Sequence, residues 1–182
     1  MRLGRATLLA NALANQDFIR LTRRFESGYV RGYVLAVQRS HFLLALVSDR
    51  VWFDGFECFR TKDVKSIEVD PYRAFAEAAL GKRGLCRPSM PRLSMGTTRT
   101  ILESAGDSYP LVTIHREELA PDVCHIGKVV GTNRIQVALL EIGPDAIWDK
   151  RATAYSLREI TRISFGGSYE EALSLVGGKS EA

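Results

Sequence analysis

Short alternating or continuous apolar runs dominate this chain, and a helical pattern opens and closes each series of them. Residues 6–14 set Leu8, Leu9, Ala12 and Leu13 on one helical face. Strands are expected at Phe18–Phe25, Tyr29–Val37 and Phe42–Val47, the last an apolar run of the kind buried on both sides. Glu26-Ser27-Gly28 reads as the first turn. Val51–Phe53 and Phe56–Phe59, bent at Asp54-Gly55, predict a further strand or hairpin, and Val64–Val69 closes the series. Asp70-Pro71 suits a helix start and Gly81 a stop, so Tyr72–Leu80 is expected to be helical.

The order then repeats. Thr100 and Glu103 have the spacing of a capping box, and so do Ser168 and Glu171 before a helix through Val176. Between them strands are expected at Leu111–His115, Val123–Gly131, Gln136–Ile142, Ala146–Asp149 and Ile160–Phe165. Gly32-Tyr33-Val34 lines up with Gly127-Lys128-Val129 at an offset of 95, and Trp52 with Trp148 and Asp63 with Glu159 at 96. A repeat of this length predicts two copies of one small fold. Residues 1–81 would be the first copy, 82–98 a basic Pro/Gly linker, and 99–182 the second.

Composition is that of an ordinary globular chain, 46% hydrophobic and 25% charged. No apolar run reaches the ~20 residues that span a bilayer, and Asn11, Asn15 and Gln16 interrupt what would be a leader, so no membrane partner is expected. Three scattered cysteines, Cys58, Cys86 and Cys124, with no C-x-x-C spacing, point to a reduced, cytoplasmic protein. Charge divides unevenly. Residues 1–99 carry 17 Lys and Arg against 9 Asp and Glu; residues 100–182 carry 8 against 12. The basic half suits a phosphate backbone, and the opposite signs equally suit association between halves or copies.

One repeat, a short helix followed by about five bent strands, resembles the Sm/Lsm superfamily of small β-barrels. The resemblance rests on Asn11-Ala12-Leu13 late in the helix, Gly28 in the first turn and Gly32 in mid-strand. His41-Phe42-Leu43-Leu44 and Phe59-Arg60-Thr61-Lys62-Asp63-Val64 also carry it. It covers residues 6–69 and, more weakly, 99–165. Where the family frames its uridine pocket with Asp and Asn, this chain has Gln38-Arg39-Ser40-His41; where the family has Arg-Gly, it has Arg60-Thr61. The implied fold is mainly β: two tandem Sm-like or SH3-like five-stranded barrels, each preceded and followed by a helix.

The implied function is a non-enzymatic binding or assembly module with no cofactor, whose ligand is single-stranded RNA held by the basic first half. The resemblance carries over Phe42, which would stack on a base, and Arg60, which would hold phosphate; by charge alone Lys62 would join Arg60, and Arg20 and Arg24, on one strand face, would extend a basic stripe. A protein-interaction scaffold, self-associating or binding another protein, is the alternative. A metal-dependent enzyme using His115 and His125, brought together by a hairpin, is the third reading, although their spacing fits no zinc pattern. No catalytic constellation is otherwise visible.

Overall fold

The computed structural model describes residues 3–180. They fall into two compact units that divide between Pro91 and Arg92, inside the stretch read as a linker. The first unit runs α1 (Arg5–Asn15), β1 (Phe18–Arg23), β2 (Val30–Val37), β3 (His41–Val47), β4 (Phe53–Arg60), a 3₁₀ turn (Thr61–Asp63), β5 (Val64–Val69) and α2 (Arg73–Lys82). The second runs α3 (Thr98–Ser108), β6 (Val112–His115), β7 (Cys124–Thr132), β8 (Gln136–Glu141), β9 (Thr153–Ser156), β10 (Arg162–Phe165) and α4 (Ser168–Gly177).

The ten strands form open antiparallel sheet, which corrects the expectation of two closed five-stranded Sm-like or SH3-like barrels. Strand order is β5-β1-β2-β3-β4 in the first unit and β10-β6-β7-β8-β9 in the second. In each unit the fourth and fifth strands therefore stand at opposite ends of the order. The connection between them explains this. The 3₁₀ turn after β4 is three residues long. Thr61 N–H bonds the Ser40 carbonyl, and the Asp63 carbonyl accepts from Arg24 N–H. The chain is thus delivered to β1 before it can fold back along β4. The Leu157 N–H to Ile135 carbonyl bond does the first of these jobs in the second unit.

The two units share their ladders position for position. Gly32 opposes Leu46, Tyr33 Ala45 and Val34 Leu44, with a bulge before Ala36. Gly127 opposes Glu141, Lys128 Leu140 and Val129 Leu139, with a bulge before Gly131. Both glycines are required by close approach: a Cβ at Gly32 or Gly127 would overlap the carbonyl oxygen of Ala45 or Leu140. The turns after β3 and β8 also match. Val51 N–H bonds the Ser48 carbonyl as Ala146 N–H bonds that of Gly143, with Val51 and Ala146 both at positive φ.

That geometry moves three expectations. Val51 and Trp52 lie in the turn, so Trp52 corresponds to Ile147, and Trp148 corresponds to Phe53 (Val47 opposes Phe53 as Ile142 bridges Trp148). The fourth strand of the second unit is Thr153–Ser156, not Ala146–Asp149. The capping boxes shift as well. Thr97 and Thr100 form the reciprocal box of α3, and Gly167 precedes α4 with no side-chain cap.

The first unit buries Leu9 and Ala12 of α1 against Ile19, Leu21, Val34, Phe42, Leu44 and Phe59. In the second, Ile101, Leu102 and Ala105 of α3 are buried, as are Val112, Ile114, Val137 and Leu139 of the sheet. The buried faces of α1 and α3 and of the strands they cover thus supply apolar area, at roughly 25 cal/mol per Å² removed from water. Among the described residues, no helix is long and apolar enough to cross a membrane.

Candidate functional site

The residues singled out in the first unit do not assemble a base-stacking pocket. Phe42 has no exposed surface; it packs against Phe59, ring centroids 5.5 Å apart, within the core. An apolar strand buried on both faces leaves no ring free. The cations are neutralised. Arg60 Nε donates to Asp63 at 2.5 Å, and Arg24 Nε lies 2.9 Å from the same carboxylate. Arg20 pairs with Glu68 at 2.8 Å and covers the ring of Tyr29. Lys62 is exposed in the 3₁₀ turn. Arg23, fully buried, pairs with Glu26 and lies over Phe59, 4.4 Å from its centroid.

Unpaired positive charge gathers instead in the second unit, whose sequence is the acidic one. Two cavities adjoin at Lys128. One, of 460 Å³, is lined by Lys128, Val129, Val130, Leu140, Lys150, Arg151 and Ala152. The other, of 510 Å³, is lined by Lys128, Pro110, Trp148, Ser174, Gly178, Lys179 and Ser180. Four of the eight cations in residues 100–182 thus line this pair of cavities, which we treat as one groove because Lys128 borders both. Among the described residues, none of the four is in an ion pair. A cleft lined by one sign of charge focuses its field on an incoming counter-ion.

The first unit shows what fills the same place when no groove is needed. There Tyr33 lies between Phe18 and Phe53, at 5.3 and 6.2 Å between centroids, over Val47, Ala76 and Leu80. Ladder equivalence puts Leu111, Lys128 and Trp148 at the three aromatic positions. Trp148 packs against Leu111, Ile142 and Leu173, and its indole N–H donates to the Gly177 carbonyl at 3.0 Å. Glycine at 177 permits that approach, since a Cβ there would sit 2.9 Å from the Ala146 carbonyl oxygen and overlap Ile142.

A second polar cluster lies on the core side of the same sheet. His125 Nδ1 is 3.0 Å from Glu141 and 2.8 Å from the Tyr155 hydroxyl, which donates to Glu141 at 2.5 Å. Arg116 stacks over Tyr155 at 4.8 Å, reaches His125 Nε2 at 3.4 Å and pairs with Glu159 at 3.1 Å. Burial, then the bond to Glu141, pushes the Tyr155 phenol well above its usual range, so it stays a donor. Glu141 accepts from Tyr155 and, with His125 Nδ1 protonated, from the imidazole; Nε2 then accepts from Arg116. The matching positions of the first unit are Leu46, Phe59 and Val30.

His115 and His125 are not brought together. His115 opposes Cys124, and His125 opposes Ile114, so the two imidazoles stand on opposite faces of the sheet. Among the described residues, no three His, Cys, Asp or Glu side chains are grouped to hold a metal. The chain matches no family model, no curated protein and no solved structure. The groove residues escaped the sequence reading because their cations come from three separate segments, at 128, 150–151 and 179, of a half with net negative charge. One signal was present: Lys128 stands where the repeat has Tyr33.

Proposed function

We propose that the protein is a non-enzymatic binding module that holds a phosphate-bearing polyanion in the groove of its second unit. One observation carries this reading: Lys128, Lys150, Arg151 and Lys179 line two cavities that share Lys128, and among the described residues none of the four is in an ion pair. Like charges held together without counter-charge destabilise the fold that holds them, and a bound anion removes that penalty. The first unit supports the contrast, because Arg20, Arg24 and Arg60 are already bound to Glu68 and Asp63. Free thiols at Cys58, Cys86 and Cys124 support a reducing, cytoplasmic setting.

The test is anisotropy of a fluorescein-labelled oligouridylate, titrated with protein over a series of salt concentrations. Log Kd should rise linearly with log salt, and Lys128→Ala, Lys150→Ala and Arg151→Ala should each lower the slope by about 0.7. Arg20→Ala and Arg24→Ala should leave it unchanged. If the first-unit variants weaken binding as much as the groove variants do, the contact has been placed on the wrong unit. A protein-interaction scaffold is the second reading, favoured by Tyr72 and Phe75, two exposed aromatic side chains at and near the start of α2. Loss of a co-purifying protein on Phe75→Ala, with oligonucleotide binding absent throughout, would favour it.

A further inference from the structure

The cation groove explains why a polyanion binds but not which one. That choice lies in the second cavity. In the first unit, Tyr33 and Phe53 lie 6.2 Å apart between ring centroids, in one cluster with Val47 and with Ala76 and Leu80 of α2. In the second unit the ring at the Phe53 position is Trp148, and the ring that would neighbour it has become Lys128. Trp148 packs against Leu111, Ile142 and Leu173 and, half-buried, also lines the 510 Å³ cavity beside Lys128. Its orientation is fixed by the N–H bond to the Gly177 carbonyl. A ring held by packing and one directed hydrogen bond loses little freedom when something stacks on it. Lys128 borders both cavities, so a phosphate at Lys128, Lys150 and Arg151 neighbours the cavity that Trp148 lines.

We propose that Trp148 is the base-stacking platform of a single-stranded nucleic-acid site, the base taking the place that Tyr33 fills in the first unit and its phosphate lying against Lys128, Lys150 and Arg151. The proposal rests on the polyanion reading above and specifies its ligand. Duplexes are excluded, because their bases are already stacked on one another and cannot present a face to the ring. Ser174 and Ser180 line the same cavity as hydroxyl donors or acceptors for the base edge or the sugar.

The experiment uses the full chain carrying Trp52→Phe, so that Trp148 is the one remaining indole. It is titrated with oligouridylate, oligodeoxyuridylate and an abasic oligonucleotide of equal length, while competition against the labelled probe reports binding separately. Both base-bearing strands should quench Trp148 emission, and the abasic strand should compete without quenching. Trp148→Phe should weaken oligouridylate about tenfold and leave the abasic strand unchanged; circular dichroism checks that this variant is folded. Quenching by one sugar type alone identifies RNA or DNA as the ligand. Equal affinity with and without bases, together with unchanged Trp148 emission, overturns the stacking platform and leaves the polyanion reading standing. Failure of all three strands to bind overturns both.

Discussion

The two units carry the same ladders, the same bulge and the same turn, yet they put different chemistry on them. At one set of adjoining positions the first unit has Phe18, Tyr33 and Phe53, and the second has Leu111, Lys128 and Trp148. At another it has Val30, Leu46 and Phe59, where the second has His125, Glu141 and Tyr155. The backbone does not require either polar set, because the first unit folds without them. A hydrogen-bonded polar cluster in place of apolar packing brings no expected gain in stability. What the comparison teaches is that the sheet is a neutral frame, and that the second unit departs from a packed core at the two places where a role other than stability can reside.

The largest expected effect tests the frame itself. Gly32→Ala and Gly127→Ala should each destabilise by about 3 kcal/mol or more, because the added methyl meets a backbone oxygen that cannot move without breaking the ladder. Urea unfolding measures both; a tolerated Gly127→Ala beside a damaging Gly32→Ala would break the equivalence. Next comes the polar cluster. Glu141→Leu removes the shared acceptor, leaving the Tyr155 hydroxyl and His125 Nδ1 only each other, and should cost about 1–2 kcal/mol. The triple change His125→Val, Glu141→Leu, Tyr155→Phe copies the first unit and should return to within about 1 kcal/mol of the parent, or exceed it. A triple variant less stable than Glu141→Leu alone would show that the cluster is a structural necessity.

The smallest effect is a pH dependence confined to the first unit. Burial, then the neighbouring Arg60 guanidinium, holds the His41 imidazole below its usual range. The unfolded chain therefore takes up the proton first, and stability falls as pH drops below about 6.5, with no contribution above it. The second unit has Gln136 at the same ladder position, so His41→Gln should flatten the acid limb of a stability–pH curve. An unchanged slope would mean that other groups set it.

Much of the frame was legible. Most strands read correctly because alternation and turn residues are local signals, and Gly32 and Gly127 marked the matched register. The fourth strand of the second unit was not legible. Thr153–Ser156 is short and polar, and the extra residue lies after Trp148, so pairing the two tryptophans by identity slipped the alignment one residue too early. Strand closure was illegible too, since periodicity gives each strand a face but does not say which strands meet at the ends. As for the site, Phe42 reads as a stacking ring only until its burial is known; an aromatic residue in an apolar strand carries the same letters in either role. The groove needed the fold to bring Lys128 on β7 beside the β8–β9 connection and the end of α4.

The bond from the Trp148 indole to Gly177 has a last implication. Gly177 is the final residue of α4, where backbone carbonyls lack partners of their own. The indole therefore serves as a side-chain cap, and the ring's orientation and the helix's final turn belong to one equilibrium. When that turn frays, the ring keeps its packing but loses the bond that orients it; whatever holds the ring still lengthens the lifetime of the turn. An event on the face of a single aromatic side chain is thereby converted into order in the backbone that follows it.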